Sequence, residues 1–301
     1  DAIPTIRPRG EAQKTKEEMM FFRESMLIKE HHLMELSRIK DSNDPYLQPV
    51  IDSMYDDTRT LVEGAEISAE RMRMNLLAPT SGEMEIVIPM ADNTKATYDY
   101  DPDGTWKGTN YLALTGNDTW DNSTTAKPLN DIDKAIEYLA SIGVVATTIL
   151  GNTTTFNYLL ENSQVKNALV SITGKAIDFI DRSTVKEVVS RKLGLDWISY
   201  DKMYQDYDDS QKKFYPDNYV TILGNGKLGN TWRGTTPEEL TAISDIVKAP
   251  QAPVDITVLD SGIAVAVRTV YKPGVAIETT ASQIALPSFE GMDSIFVIKV
   301  K

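Results

Sequence analysis

At 301 residues the chain exceeds what one compact core usually holds, so one large or two interleaved domains are expected. Hydrophobic residues at 41% and charged residues at 25% are ordinary for a globular protein, and the absence of cysteine excludes disulfides and thiolate metal sites. The formal net charge of −13 is the reverse of what a sequence-independent DNA binder needs, so a protein of this charge near packaged DNA would wall it in rather than grip it.

The chain opens on Asp1-Ala2-Ile3-Pro4-Thr5-Ile6-Arg7-Pro8-Arg9-Gly10, a proline-punctuated stretch with no core-forming period, which reads as an arm or the limb of a loop. Met19-Met20-Phe21-Phe22 and Met26-Leu27-Ile28 suit a strand returning from that arm, and Lys29 to Ile39 reads as helix. The strongest local signal runs from Asp44 to Leu77. Asp44 suits an N-cap and Pro45 the first helical position, and apolar residues from Leu47 through Met54, Leu61, Ala65, Ala69, Met72 and Leu76 make one helical stripe. The opposite face carries Asp52, Asp56, Asp57, Glu63, Glu70 and Arg73, and Ala78-Pro79 ends the helix. At 1.5 Å per residue it would be about 50 Å long, with Gly64 permitting a bend.

Beyond Gly82 the texture changes. Met84, Ile86 and Ile88 alternate as a half-buried strand, and residues 92–127 are rich in Asp, Asn, Thr and Gly around the anchors Trp106, Tyr111 and Trp120. A second α/β region starts at Pro128. Helix Asp131–Ile142 is closed by Gly143 and presents Ile132, Ala135, Ile136 and Leu139 on one face. Strand Val144–Leu150, helices near Thr155–Leu160 and Val185–Leu193, and strand Tyr219–Leu223 follow. Thr236-Pro237-Glu238-Glu239 has capping-box spacing for a short helix. The end is strand-rich, at Ile256–Leu259, Ile263–Val270, Val275–Thr280 and Ser294–Val300.

Several motifs invite a chemical reading. Gly224-Asn225-Gly226-Lys227-Leu228-Gly229 matches a dinucleotide fingerprint, but Asn230-Thr231-Trp232 does not open the helix that would face a pyrophosphate, and the nearest acid, Asp245, sits inside an expected helix. It reads as a glycine-rich turn. Asp99-Tyr100-Asp101-Pro102-Asp103-Gly104 resembles the start of a calcium loop yet has Asn110 where the bidentate Glu belongs, so a β-turn is expected. His31 and His32 are adjacent and point about 100° apart on a helix, which denies them a shared metal. Asp206-Tyr207-Asp208-Asp209 reads as a solvated loop tip. The sequons at Asn117, Asn122 and Asn152 lack a secretory context and read as chance matches. No nucleophile–base pair stands out, so no catalytic, cofactor-binding or metal residues are assigned.

Taken together, Arg7-Pro8-Arg9-Gly10, the helix ending Glu70-Arg71-Met72-Arg73-Met74-Asn75, Pro128-Leu129-Asn130-Asp131-Ile132, Ile149-Leu150-Gly151-Asn152-Thr153, Tyr215-Pro216-Asp217-Asn218 and Leu286-Pro287-Ser288-Phe289-Glu290 follow a familiar order. In that order the chain resembles the lambda-type major capsid protein family of tailed phages and prophages. The resemblance implies an α+β protein with the Hong Kong phage capsid fold, a long spine helix, a peripheral domain and an axial domain. It further implies residues 1–26 as the remnant of an extended loop or arm, preceded in the family by several dozen residues. Residues 27–127 would be a peripheral domain with its spine helix at 44–77, residues 128–261 an axial domain, and residues 262–301 C-terminal strands returning to the peripheral domain. The implied role is a structural, non-enzymatic subunit of an icosahedral head. It would self-assemble as hexamers and pentamers around double-stranded DNA, with scaffolding, portal and decoration proteins as partners and no membrane. It would assemble in the bacterial host cytoplasm. Ile3, Ile6, Arg7 and Arg9 are the expected arm contacts, and Asp206, Asp208, Asp209 and Lys212 the expected capsomer-axis contacts. An encapsulin-like compartment shell is the alternative use of the same fold.

Overall fold

The structure, a computed structural model, describes residues 19–40, 56–80, 82–89, 95–173, 181–206, 210–243, 254–259, 261–271 and 274–301. Two five-stranded sheets carry it. In the first, β1 (Met20–Ile28), β13 (Ala276–Pro287), β12 (Ala264–Val270) and β11 (Val254–Val258) lie in that order, and β10 (Thr231–Gly234) also pairs with β13. In the second the order is β4 (Tyr111–Ala113), β14 (Ile295–Lys299), β9 (Tyr219–Gly224), β5 (Ala146–Gly151) and β6 (Asp196–Ser199). Two hairpins stand apart, β2 (Glu85–Pro89) with β3 (Lys95–Asp99) and β7 (Met203–Gln205) with β8 (Gln211–Lys213). Helix α1 (Glu30–Lys40) follows β1, as its sequence predicts.

Strand β1 pairs antiparallel with β13 from Met20↔Ala285 to Ile28↔Ile277. Successive side chains point to opposite faces, so Phe22 is buried while Phe21, Arg23 and Leu27 face outward. Across the inner face lies α2 (Asp57–Leu77), whose Leu61 and Ala65 pack with Phe22, Ile263, Val265 and Ala281. Two expectations for this helix are corrected. Its start is Asp57, because Asp56 is non-helical (φ −78°, ψ 55°) and its carboxylate accepts the Arg59 N–H at 3.2 Å. That cap interrupts the apolar stripe and leaves 21 residues, roughly 31 Å, where 50 Å was expected. The expected cap at Asp44 and the residues up to 55 lie outside the described residues. At Gly64 a Cβ would stand 2.9 Å from Glu24 Oε2 and 3.4 Å from Phe22 Cζ, so the glycine lets β1 approach. Asp57, expected on the solvated face, is buried.

The second sheet is covered by α4 (Pro128–Ser141), α5 (Thr153–Glu161), α6 (Ser163–Thr173) and α7 (Arg182–Leu193), after the short α3 (Thr105–Asn110). Ile132, Ala135 and Leu139 of α4 are buried, as their 3.6-residue spacing requires, and Ile136 packs at the margin. Gly143 (φ 82°) and Gly194 (φ 71°) take the left-handed conformation that ends α4 and α7. The core of this body joins Trp120, Phe156, Trp197 and Phe296 to those helices. Strands β5 and β6 run parallel, and α5 to α7 form the crossover between them.

A third apolar cluster fuses the two bodies. Met72 and Leu76 of α2, Met84 and Ile86 of β2, Trp106, Tyr215, Phe289 and Ile295 pack in it. Polar ties reinforce the joint: Thr221 Oγ1 donates to the Leu77 carbonyl at 2.5 Å, and the Tyr219 hydroxyl to that of Thr80 at 2.6 Å. The chain crosses this joint repeatedly. The span 128–261 sends β5, β6 and β9 to the second sheet but β10 and β11 to the first. Residues 262–301 place β12 and β13 in the first sheet and β14 in the second.

Candidate assembly surfaces

The expected contact residues separate into two groups. Ile3, Ile6, Arg7, Arg9, Asp208 and Asp209 lie outside the described residues. Asp206 and Lys212 are described, and they pair with each other toward the loop end of the β7–β8 hairpin. Asp206 is not the solvated tip its sequence suggests. Its side chain is only 16% exposed and turns back to Arg71 of α2 at 3.8 Å, while the Arg71 guanidinium lies over the Tyr204 ring, 4.8 Å from the centroid. The hairpin is thereby fastened to the long helix. A cleft of about 560 Å³ opens between them, lined by Phe22, Glu24, Gly64, Arg71, Tyr204 and Asp206.

The Tyr200 hydroxyl donates to Glu70 Oε1 at 2.8 Å beside this hairpin. Burial, then that hydrogen bond and the Glu70 charge, push the phenol up to about 12 from its ordinary 10. The neutral phenol is thus favoured by folding, and its contribution is complete below pH 10. It is lost as pH rises from 10 to about 12, where the unfolded chain has already released the proton. Replacing Tyr200 by Phe is expected to flatten the fall in stability across that window, read by urea titrations at stepped pH; an unchanged slope would remove Tyr200 from the account.

The outer face of the first sheet presents a different chemistry. Phe21 (42% exposed), Leu27 (50%) and Trp232 (60%) project from β1 and β10, and Leu240 (54%) from the short helix α8 (Pro237–Ile243) laid over this face. Large apolar side chains gathered on one face mark a contact surface. Between them runs a satisfied polar network. Arg23 reaches Glu238 Oε1 at 2.9 Å, Ser282 Oγ donates to Glu238 Oε2 at 2.7 Å, and Ser25 shares a 2.8 Å hydrogen bond with Thr280. Farther along, the Arg268 guanidinium, 2.7 Å from Glu278, holds that carboxyl below the usual carboxylate range. Among the described residues β1 pairs only with β13 and β11 only with β12, so both outer strands present an open edge. At the far end of the second sheet Ile142 and Val145 are exposed, the latter at 63%.

The sequence model of the family described as phage major capsid protein E matches residues 2–262. The chain belongs to that family. It is a structural subunit of a phage or prophage head, and the virion capsid is where it resides. A protein described as the capsid protein of a prophage of E. coli CFT073 superposes with a TM-score of 0.60 at 12% identity, over 94% of this chain and 77% of that one. That superposition shows the Hong Kong phage capsid fold. A phage-related protein of Bordetella bronchiseptica RB50 gives 0.49 at 11% identity over 94% and 76%, and the capsid of Myoviridae phage XM1 gives 0.45 at 10% over 94% and 74%. No curated protein sequence matches. The family match favours the phage head over the compartment shell.

In the capsid subunit the tempting motifs are spent on structure. No helix follows Gly229; the stretch after β9 turns into β10, and Asp245 lies outside the described residues. The Asp101 carboxylate accepts the backbone N–H groups of Trp106 and Lys107, each at 2.9 Å, and so holds the start of α3. Asn110 donates to the carbonyls of Asp293 and Ile295 at 3.2 and 2.8 Å. The rings of His31 and His32 lie against each other, centroids 3.8 Å apart and planes tilted by 50°. Among the described residues no cluster of His, Asp and Glu has metal-binding geometry, and no helix is long and apolar enough to cross a membrane. Sequence reasoning missed Phe21, Trp232 and Leu240 as surface features. The only signal for Trp232 was a large aromatic in a four-residue strand between Gly229 and Gly234, too short to show alternation.

Proposed function

We propose that this subunit joins copies of itself as hexamers and pentamers in a closed icosahedral shell around double-stranded DNA, in the host cytoplasm and without enzymatic activity. The observation that carries the finer reading is the outer face of the first sheet, where Phe21, Leu27, Trp232 and Leu240 stand exposed between two open strand edges. A subunit with such a face is completed by its neighbours, and a closed shell supplies them through quasi-equivalent contacts. In this reading the second sheet with α4 to α7 is the axial body at the capsomer axes, and the first sheet with α2 is the peripheral body. Of residues 1–26, those ahead of β1 reach an adjacent subunit, with Ile3, Ile6, Arg7 and Arg9 as the contacts, while Met20 to Met26 pair with β13 of their own chain. Asp206, Asp208, Asp209 and Lys212 lie toward the capsomer axis. Scaffolding, portal and decoration proteins are the other partners. The charge of −13 suits a wall that encloses DNA without gripping its sequence.

Negative-stain electron microscopy of the gene product, expressed alone and with its neighbouring genes, is the test. Closed shells or capsomer rings are expected, and a uniform monomer under both conditions would overturn the proposal. Arg7→Ala combined with Arg9→Ala is expected to reduce shell yield while leaving the circular dichroism spectrum unchanged. Normal shells from that double variant would remove the arm assignment and leave the rest standing.

A further inference from the structure

The glycine-rich turn is left without a role by the assembly reading, and its chemistry points elsewhere. Asn225-Gly226 is the only Asn-Gly dipeptide in the sequence. Strand β9 delivers it to solvent: Tyr219 to Ile222 are buried, whereas Asn225 and Gly226 are both exposed. The turn is held on its N-terminal side, where the Asn225 N–H donates to the Val145 carbonyl at 2.8 Å. Gly224 is packed so tightly that a Cβ would stand 2.3 Å from Val144 Cγ1. Past that anchor the restraint ends. Among the described residues nothing hydrogen-bonds the Asn225 side-chain amide, and no backbone carbonyl receives the Gly226 N–H. Gly226 has φ +116°, which L side chains rarely adopt, and open space where a Cβ would be.

We propose that Asn225 is a site of spontaneous deamidation in the folded subunit. The Gly226 amide nitrogen, losing its proton to solvent, attacks Asn225 Cγ. A bond forms between them, the bond from Cγ to Nδ2 breaks, and ammonia leaves, giving a five-membered succinimide. Water then opens either imide carbonyl to leave aspartate or isoaspartate, with no oxidant, reductant or enzyme required. Attack needs an amide nitrogen that is sterically open and not committed to a hydrogen bond, and a side chain free to rotate onto it; this turn offers all three. Asn162 and Asn152 contrast with it. Asn162, also followed by a small residue, Ser163, is fully buried; its Nδ2 donates to the Ala126 carbonyl at 3.1 Å and its Oδ1 accepts the Gln164 N–H at 2.9 Å. Asn152 is buried and held by Pro216 and Asp217. The product carboxylate arises beside Val145 and adds a negative charge to that exposed apolar end of the second sheet.

The test compares the native full-length subunit with the same chain in urea, both held at mildly alkaline pH, by peptide mass spectrometry of the tryptic fragments ending at Lys227 and at Lys166. Native Asn225 is expected to convert within a few-fold of its rate in the denatured chain, while native Asn162 is slowed many-fold relative to its own denatured rate. Asn225→Gln, which forms the ring poorly, is expected to abolish the acidic shoulder that appears on anion exchange as the wild type ages. Native protein that keeps Asn225 intact while the denatured chain converts it would overturn the proposal, as would an acidic shoulder that persists in Asn225→Gln.

Discussion

Trp106→Ala is expected to destabilise the subunit by about 3–5 kcal/mol, the range for truncating a buried indole. The side chain is 1% exposed and packs where the two bodies meet, against Met84, Ile86, Tyr215, Phe289 and Ile295. Its Nε1 donates to the Met292 carbonyl at 2.9 Å, so alanine would also remove one of that carbonyl's two donors, the Ile295 N–H being the other. The loss should spread, because α3 is stitched to the same segment through Asn110 and opens on the Asp101 carboxylate. Trp106→Phe, which keeps most of the volume and loses the donor, should fall between the two. Urea unfolding followed by far-ultraviolet circular dichroism measures both. A Trp106→Ala loss below the cost of one hydrogen bond would mean that the joint repacks around the hole.

Gly229→Ala is expected to cost about 1–3 kcal/mol through overpacking, with the upper end favoured by what the new atom meets. A Cβ there would stand 1.8 Å from the Ser288 carbonyl oxygen and 2.7 Å from its carbon, so backbone must separate from backbone. The two strands cannot part freely. Ser288 N–H donates to the Asn230 carbonyl at 2.6 Å, and Asn230 N–H to Ser288 Oγ at 2.9 Å. Gly226→Ala serves as the comparison within the same turn, since it meets nothing within 4 Å and carries only the cost of its positive φ. If Gly229→Ala proves no worse than Gly226→Ala, the contact with Ser288 is not limiting. Reduced yield of soluble subunit alongside the thermal shift would be the accompanying sign.

Much of this architecture was legible where pattern and punctuation agree. Helix α4 shows its buried face at Ile132, Ala135 and Leu139 and its end at Gly143, and α7 ends at Gly194 in the same way. What was hidden is instructive. The apolar stripe continues upstream of α2, yet the local hydrogen bond from Arg59 N–H to Asp56 decides where the described helix begins. Strand β13 was expected to stop at Thr280 but runs to Pro287. Ala281-Ser282-Gln283 has little strand preference of its own, and pairing on both sides with β1 and with β12 or β10 supplies what propensity lacks. Helix α6 went unseen because its start depends on the buried Asn162 side chain. The candidate surface was the least legible part. Asp206 looks like a solvated acid in sequence and becomes a fastening to Arg71 only when the hairpin folds onto α2. Phe21 and Leu27 look like core residues until the strand's alternation assigns them to the outer face.

The pairing of β1 with β13 also constrains how the molecule can form. Residues 20 and 285 are neighbours in the finished sheet, and β14, the last strand, sits inside the other sheet between β4 and β9. The first sheet can therefore not close on a ribosome until β13 has emerged, nor the second until β14 has, and such distant partners make for slow folding. Meanwhile β1, with Phe21 and Phe22 near its start, waits as an unpaired apolar strand while nearly all of the later elements are synthesised. Such late closure would make chains truncated before β13 incapable of completing either sheet.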